Sequence, residues 1–252
     1  MQLNDYFQQH PQAALGLSGG VDSAYLLWAG CSAGARLRPY FVQTPFQPAF
    51  ELRDAQALCR VLGVELTVIP LDVLALPAVA TNPADRCYHC KKALFGALAR
   101  RAAADGFSLL LDGTNASDDA GDRPGMRALQ EMQVQSPLRL CGVTKEMVRQ
   151  GARRAGLAVH AKPAYACLAT RVPAGQPLTG SLLGRIEAAE AALFRLGFVD
   201  FRVRVYADAA RIQLPADQWP RLLEQNQAVR KALAPYFEPV LLDLVPRQCQ
   251  EG

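Results

Sequence analysis

The chain has 252 residues, half of them hydrophobic and a fifth charged, the proportions of a soluble globular protein that buries a sizeable core. Lys and Arg total 27 against 23 Asp and Glu, and the net charge of +4 suits anionic ligands such as nucleotides while being too small to argue for nucleic acid. The opening residues lack a basic segment followed by an apolar run, and no apolar stretch approaches the roughly 20 residues of a membrane span, so neither a secretory signal nor a membrane anchor is expected.

In chain order, "AALGLS" (13–18) reads as a short apolar strand, followed by a glycine turn and by "DSAYLLWAG" as the start of a buried helix. "ARLRPYFVQ" is a second strand, and "AFELRDAQALCRVLG" is a helix whose C-terminal cap is Gly63. "VELTVIPLD" is a third strand. A helix then runs from Cys87 to about 105–106, and "FSLLLDG" is a fourth strand. "TKEMVRQGARRAGL" is a helix capped by Thr144. Strands alternating with helices predict a parallel sheet covered on both faces, an α/β fold. Near "TRVPAGQPLTG" the rhythm changes. A long helix over 180–196, two short strands in "FRVRVYADAARIQLP", a helix over 217–237 and a strand in "PVLLDLV" form a small C-terminal α+β domain. The expected domains are 1–172 and 173–252. Basic pairs such as Arg100–Arg101 and Arg153–Arg154 read as solvated helix faces.

The first strand opens into "SGGVDS", Ser18, Gly19, Gly20, Val21, Asp22 and Ser23. The two glycines permit tight turns, amides at a helix N-terminus receive phosphate oxygens, and Ser18 and Ser23 add hydroxyls. Asp22 would repel a phosphate unless a cation lay between them, which points to Mg2+. The loop has no lysine, so it is not the GxxxxGK[ST] type. After the fourth strand, "LDGTNASDD" brings Asp112, Gly113, Thr114, Asn115, Asp118 and Asp119 to the strand end where open parallel sheets bind ligands. A polar, capped turn is the alternative for each of these residues.

"DRCYHCKKALF" places Cys87 and Cys90 at the start of a helix with two residues between them. Cys31 and Cys59 fall on helices, Cys141 in a loop and Cys249 in the tail, and these four read as structural, with Cys167 in "KPAYACLATRVP" the remaining candidate. Seven cysteines without an export signal suit a reducing compartment, and cytoplasm is expected. His10, His89 and His160 are the only histidines, so a Cys3His zinc through His160 and a redox pair remain open. Three thiolates without a fourth suit a 4Fe–4S cluster with one open iron.

Together, "SGGVDS", "RCYHCKKALF", "LDGTNASDD", "RPG" (123–125), "VTKEMVRQGARRAGL", "KPAYACLATRVP" and "FRVRVYADAARIQLP" resemble the LarE family, in order and over nearly the whole chain. Its members are ATP-dependent sulfur transferases of the PP-loop superfamily that build the nickel-pincer cofactor of lactate racemase. The resemblance implies a PP-loop domain and a small-molecule nucleotide substrate, pyridinium-3,5-dicarboxylate mononucleotide. Its carboxylates are adenylated and converted to thiocarboxylates, with ATP and Mg2+ at residues 18–23 and a homo-oligomeric assembly. Some members sacrifice a cysteine, and others hold a cluster on three cysteines. The sacrificial position falls at Ala166, and the CxxC is present, so the chain looks like the cluster-bearing branch, with Cys87, Cys90 and Cys167 as ligands and sulfide or a sulfur donor as the source. The family's functional positions map onto Thr170, Arg171, Glu190, Arg202, Arg204 and Arg211, with catalytic roles expected for Cys167, Asp22, Arg171, Glu190 and Arg202. Arg204 is expected at a binding position. Gln213 stands where some members carry a glutamate, which leaves that acid–base role in doubt. The rival readings are a tRNA thiolase, which should carry a stronger basic patch, and a nucleotide-binding regulator with structural zinc.

Overall fold

A computed structural model describes residues 1–118 and 124–247. Asp119, Arg123 and Cys249 lie outside the described residues. The chain divides into two compact units, Met1–Val73 with Asp85–Lys162, and Leu74–Ala84 with 163–247. The boundary expected at 172/173 falls inside the second unit.

The first unit begins with α1 (Leu3–Gln9), β1 (Gln12–Gly16), α2 (Val21–Ser32), β2 (Arg36–Gln43), α3 (Ala49–Leu62) and β3 (Thr67–Pro70). The chain then passes through α4 (Pro77–Ala80) of the second unit. It returns with α5 (Arg86–Ala104), β4 (Leu110–Leu111), α6 (Pro124–Glu131), α7 (Pro137–Leu140) and α8 (Lys145–Arg154). The four strands form one parallel sheet in the order β3-β2-β1-β4. This is the α/β fold expected from the alternation of strands and helices.

Period-two alternation gives β1 a core on each face. Ala13 and Leu15 pack with Leu26, Leu27, Phe41, Leu58 and Val148 on one side. Ala14 packs with Tyr40, Leu98, Ala102 and Leu129 on the other. That is why the strand is apolar from residue 13 onward. β4 is much shorter than the apolar run 107–113 suggested. Its outer side is taken by Gln135, whose N–H donates to Leu110 O while its own carbonyl accepts from Asp112 N, both at 2.9 Å. Gly63 caps α3 with a left-handed φ of 66°. Thr144 caps α8 by accepting from Met147 N.

The second unit holds a 3-10 turn (Leu168–Arg171), α9 (Gly180–Arg195), β5 (Arg202–Tyr206), β6 (Ala209–Gln213), α10 (Trp219–Glu224), α11 (Asn226–Leu233) and β7 (Val240–Leu242). β5 and β6 are antiparallel, and β7 lies parallel to β6. Buried Leu183, Ile186, Ala189, Glu190 and Leu193 line one side of α9 at helical spacing. Residues 74–84 belong here because buried Asn82 donates through Nδ2 to Pro173 O and Gln176 O, at 2.8 and 3.1 Å. The single helix expected over 217–237 is two helices. Gln225 leaves helical geometry between them, and the Asn226 side chain donates to Leu223 O at 2.6 Å, competing with the helix ladder.

Candidate active site

In the sheet, β1 is the switch point: β2 and β3 extend it on one side and β4 on the other. Ligands of open parallel sheets bind outside the strand ends at such a point. The 18–23 loop follows β1, and the Asp112 loop follows β4. Gly20 is the N-cap of α2, with extended backbone, so the first amides of α2 are available at the loop. Gly19 has φ 79°, and a Cβ there would stand 2.7 Å from Glu51 O. Ser23 is buried, and its Oγ donates to Gly20 O at 3.2 Å and accepts from Ser18 N at 3.2 Å. The serines therefore shape the loop. A Cβ on Gly113 would stand 2.8 Å from Ser23 N, so the two loops touch only because residue 113 has no side chain.

Asp112 is buried and holds the β4 loop: it accepts from Thr114 N and Ser136 Oγ, at 3.3 and 2.6 Å, and from Thr114 Oγ1. Asp118 accepts from Asn115 N at 2.9 Å. Asp22 reaches across to the same loop, accepting from Asn115 Nδ2 at 3.1 Å, and it pairs with Lys145 Nζ at 2.5 Å. Lys145 is the first residue of α8, which lies close to α2: a Cβ on Gly151 would meet the Tyr25 ring at 2.5 Å. Lys162 donates to Gly19 O at 3.1 Å, pairs with Asp54 at 2.5 Å and covers the Phe50 ring.

Cys87 and Cys90 stand three residues apart in the first turns of α5, Cys87 exposed and Cys90 partly exposed. That turn is fastened to α6: Tyr88 OH donates to Glu131 at 2.7 Å, Lys92 pairs with Glu131 at 3.1 Å, and Arg127 stacks on Tyr88. Soft sulfur donors at this spacing and exposure fit a cluster or a soft metal. Among the described residues, no group of three or more His, Cys, Asp or Glu could hold a metal ion.

Cys167 lies in the second unit, immediately before the 3-10 turn. Arg171 controls its segment. Its Nη1 donates to Ala166 O at 2.7 Å, while Nε and Nη2 reach the two oxygens of Glu190 at 2.9 and 3.1 Å. Both residues are 1% exposed. Glu190 also accepts from Tyr165 OH and from Val203 N. Burial pulls the Arg171 guanidinium down, but Glu190, joined by Tyr165 and Cys167, makes the net shift upward. Burial first, then Glu190, pushes the Tyr165 hydroxyl up. Arg202 donates to Phe201 O and Ala164 O, and burial followed by the charges of Arg171 and Arg247 lowers it to about 10. Arg204 binds Thr170 O and Gln213 Oε1, at 2.9 and 3.0 Å, and opposes Arg211 across the strand pair. Burial, then Arg171 and Arg211, lowers its pKa.

No protein-family model matches the chain. An uncharacterized protein of Synechocystis sp. is 35% identical over 86% of this chain and 81% of its own length. The pyridinium-3,5-bisthiocarboxylic acid mononucleotide synthase of Lactiplantibacillus plantarum is 31% identical over 92% of this chain and 86% of its own length. The chain belongs to this synthase's family, the LarE family. An uncharacterized protein of Methanocaldococcus jannaschii is 29% identical over 90% of this chain and 87% of its own length.

In this LarE-family chain the residues expected from sequence form three groups. Ser18, Gly19, Gly20, Asp22 and Ser23 lie on a loop that touches the loop of Asp112, Gly113 and Thr114. Arg171, Glu190, Arg202 and Arg204 share the second unit with Cys167. Cys87 and Cys90 share one helix of the first unit. Sequence reasoning passed over Lys145, Lys162, Ser136 and Tyr165. Lys145 had a usable signal, its place directly after the Thr144 cap of a helix following the loop-bearing strands. Lys162 had none, because its partners Gly19 and Asp54 are remote in the chain.

Proposed function

We propose that this chain is an ATP-dependent sulfur transferase that converts the carboxylates of pyridinium-3,5-dicarboxylate mononucleotide to thiocarboxylates. The observation that carries this reading is the 18–23 cradle at the head of α2, set at the switch point of the sheet and closed by Gly113. Family membership supplies the substrate class, since the named relative is a synthase of the bisthiocarboxylic acid mononucleotide.

The α2 amides and the loop backbone bind the triphosphate. Asp22 would hold Mg2+ between itself and the phosphates. A substrate carboxylate attacks the α phosphorus and pyrophosphate leaves, giving an acyl-adenylate. This step is needed because a carboxylate oxygen is a poor leaving group, whereas AMP is a good one. Sulfide then adds to the activated carbonyl and AMP departs. A 4Fe–4S cluster on Cys87, Cys90 and Cys167 would supply that sulfide. Arg171 fixes the Cys167 segment, and Arg204, held by Thr170 and Gln213, offers a positive charge for a substrate carboxylate or phosphate. The chain works as a homo-oligomer.

The test uses anaerobically purified protein, with iron, acid-labile sulfide and zinc measured beside pyrophosphate and AMP release. About four irons per chain are expected, lost in Cys167→Ala. Substrate-dependent pyrophosphate release should persist in that variant while thiocarboxylate formation stops. Zinc without iron would remove the cluster from the reading, and absence of pyrophosphate release would remove the adenylation.

A further inference from the structure

Both carboxylate oxygens of Asp22 are engaged. Oδ1 accepts from Asn115 Nδ2 and Oδ2 from Lys145 Nζ, the latter at 2.5 Å. Lys145 is anchored through its backbone: Lys145 N donates to Ser117 Oγ at 3.0 Å, and Thr144 caps its helix. Close packing of Gly151 on Tyr25 fixes α8 against α2. Only the lysine side chain is left to move. The paired side chains are 24% and 23% exposed, so water screens the pair only in part.

Resting on the nucleotide site proposed above, we infer that Lys145 is an internal counter-cation that competes with a divalent cation for Asp22, and that it passes to the nucleotide's phosphate chain when the cation takes its place. A divalent ion coordinated by Asp22 would stand beside the ammonium, and two cations on one carboxylate repel. The phosphate chain resolves the conflict because it gives the displaced ammonium a new partner. The lysine suits this exchange: it is a compact point charge on a flexible stem, with three donors. Asn115 meanwhile keeps the carboxylate oriented. The cation alone therefore binds weakly, and cation and nucleotide bind cooperatively. Lys145 also supplies to the phosphates a positive charge that the loop itself lacks.

The experiment is Mn2+ binding followed by electron paramagnetic resonance, with and without a non-hydrolysable ATP analogue, on the full chain. Without nucleotide, Lys145→Met should bind Mn2+ about tenfold more tightly than wild type, while Lys145→Arg stays near wild type. The gain should vanish when Asp22→Asn is added, which locates the ion. The analogue should bind Lys145→Met about tenfold more weakly. Lys145→Gln, also uncharged, replaces the methionine variant if the latter fails to fold, and predicts the same tightening. Unchanged Mn2+ affinity in the uncharged variant, with the analogue still binding wild type, would overturn the inference and leave the nucleotide site standing. Failure of the analogue to bind wild type would overturn the nucleotide site, and the inference with it.

Discussion

Arg171 is a guanidinium almost wholly removed from water, and it persists because each of its three nitrogens donates to an acceptor. Glu190 is equally committed, accepting from a guanidinium, a phenol and a backbone amide. Removing one member of such a pair leaves the other buried and uncompensated. Glu190→Ala should therefore lower stability by about 3–5 kcal/mol, read from the urea midpoint. Gly113→Ala should cost both stability and affinity, because its Cβ would meet backbone rather than a side chain that can swing away. Its Cβ has no room beside Ser23 N, so the β4 loop must back away from the cradle. A nucleotide affinity reduced about tenfold or more, together with a lowered melting temperature, is the expected pattern. Nearly normal nucleotide binding in Gly113→Ala would mean that the two loops do not act as one site.

At the scale of elements, α2 and α3 share a core in which Cys59 is 2% exposed and Cys31 packs alongside. Burial, then the neighbouring Cys31, raises the Cys59 thiol from 9.0 to about 11. A raised thiol stabilises the fold fully below the unfolded value. That stability drains away as pH rises from about 9 towards 11, because the unfolded chain ionises first. Wild type should therefore lose about 2 kcal/mol more than Cys59→Ala between about pH 8 and pH 10.5, in urea titrations run with reductant. Equal alkaline losses in the two proteins would show that the thiol ionises as freely in the fold as out of it.

The same elements show what the sequence made legible. β1 was readable because a run buried on both faces has to be apolar, and β2 because Tyr40, Phe41 and Val42 form an apolar run within it. Gly63 and Thr144 were readable because helix ends demand particular chemistry. The pairing of Lys145 with Asp22 was not, since an ion pair across 123 positions leaves no local pattern. Nor was the place of residues 74–84 in the second unit, which depends on one buried asparagine reaching carbonyls 91 and 94 positions away. The tight turn at 18–23 before α2 was legible from its paired glycines. The close approach of Gly113 was not, because a missing side chain announces no partner.

At the scale of the whole molecule, the excess of basic over acidic side chains is only four, and much of the basic set is already occupied. Arg171 and Arg202 are buried, and Arg38, Arg101, Arg247 and Lys92 pair with carboxylates. Arg149, Arg185 and Arg221 donate to backbone carbonyls. Arginines used in this way hold the fold and offer little to a phosphate backbone. A tRNA thiolase has the opposite need: its affinity would come from many Lys and Arg contacts, each releasing a counterion. The chain should therefore bind tRNA no better than the non-specific range, with Kd about 10⁻⁶ M or weaker at physiological salt. Filter binding from about 50 to 200 mM salt measures both the affinity and its slope. A tight complex whose affinity falls about a thousandfold over that range would imply six or more phosphate contacts and return the tRNA reading to first place. A flat, weak response is what this charge distribution requires.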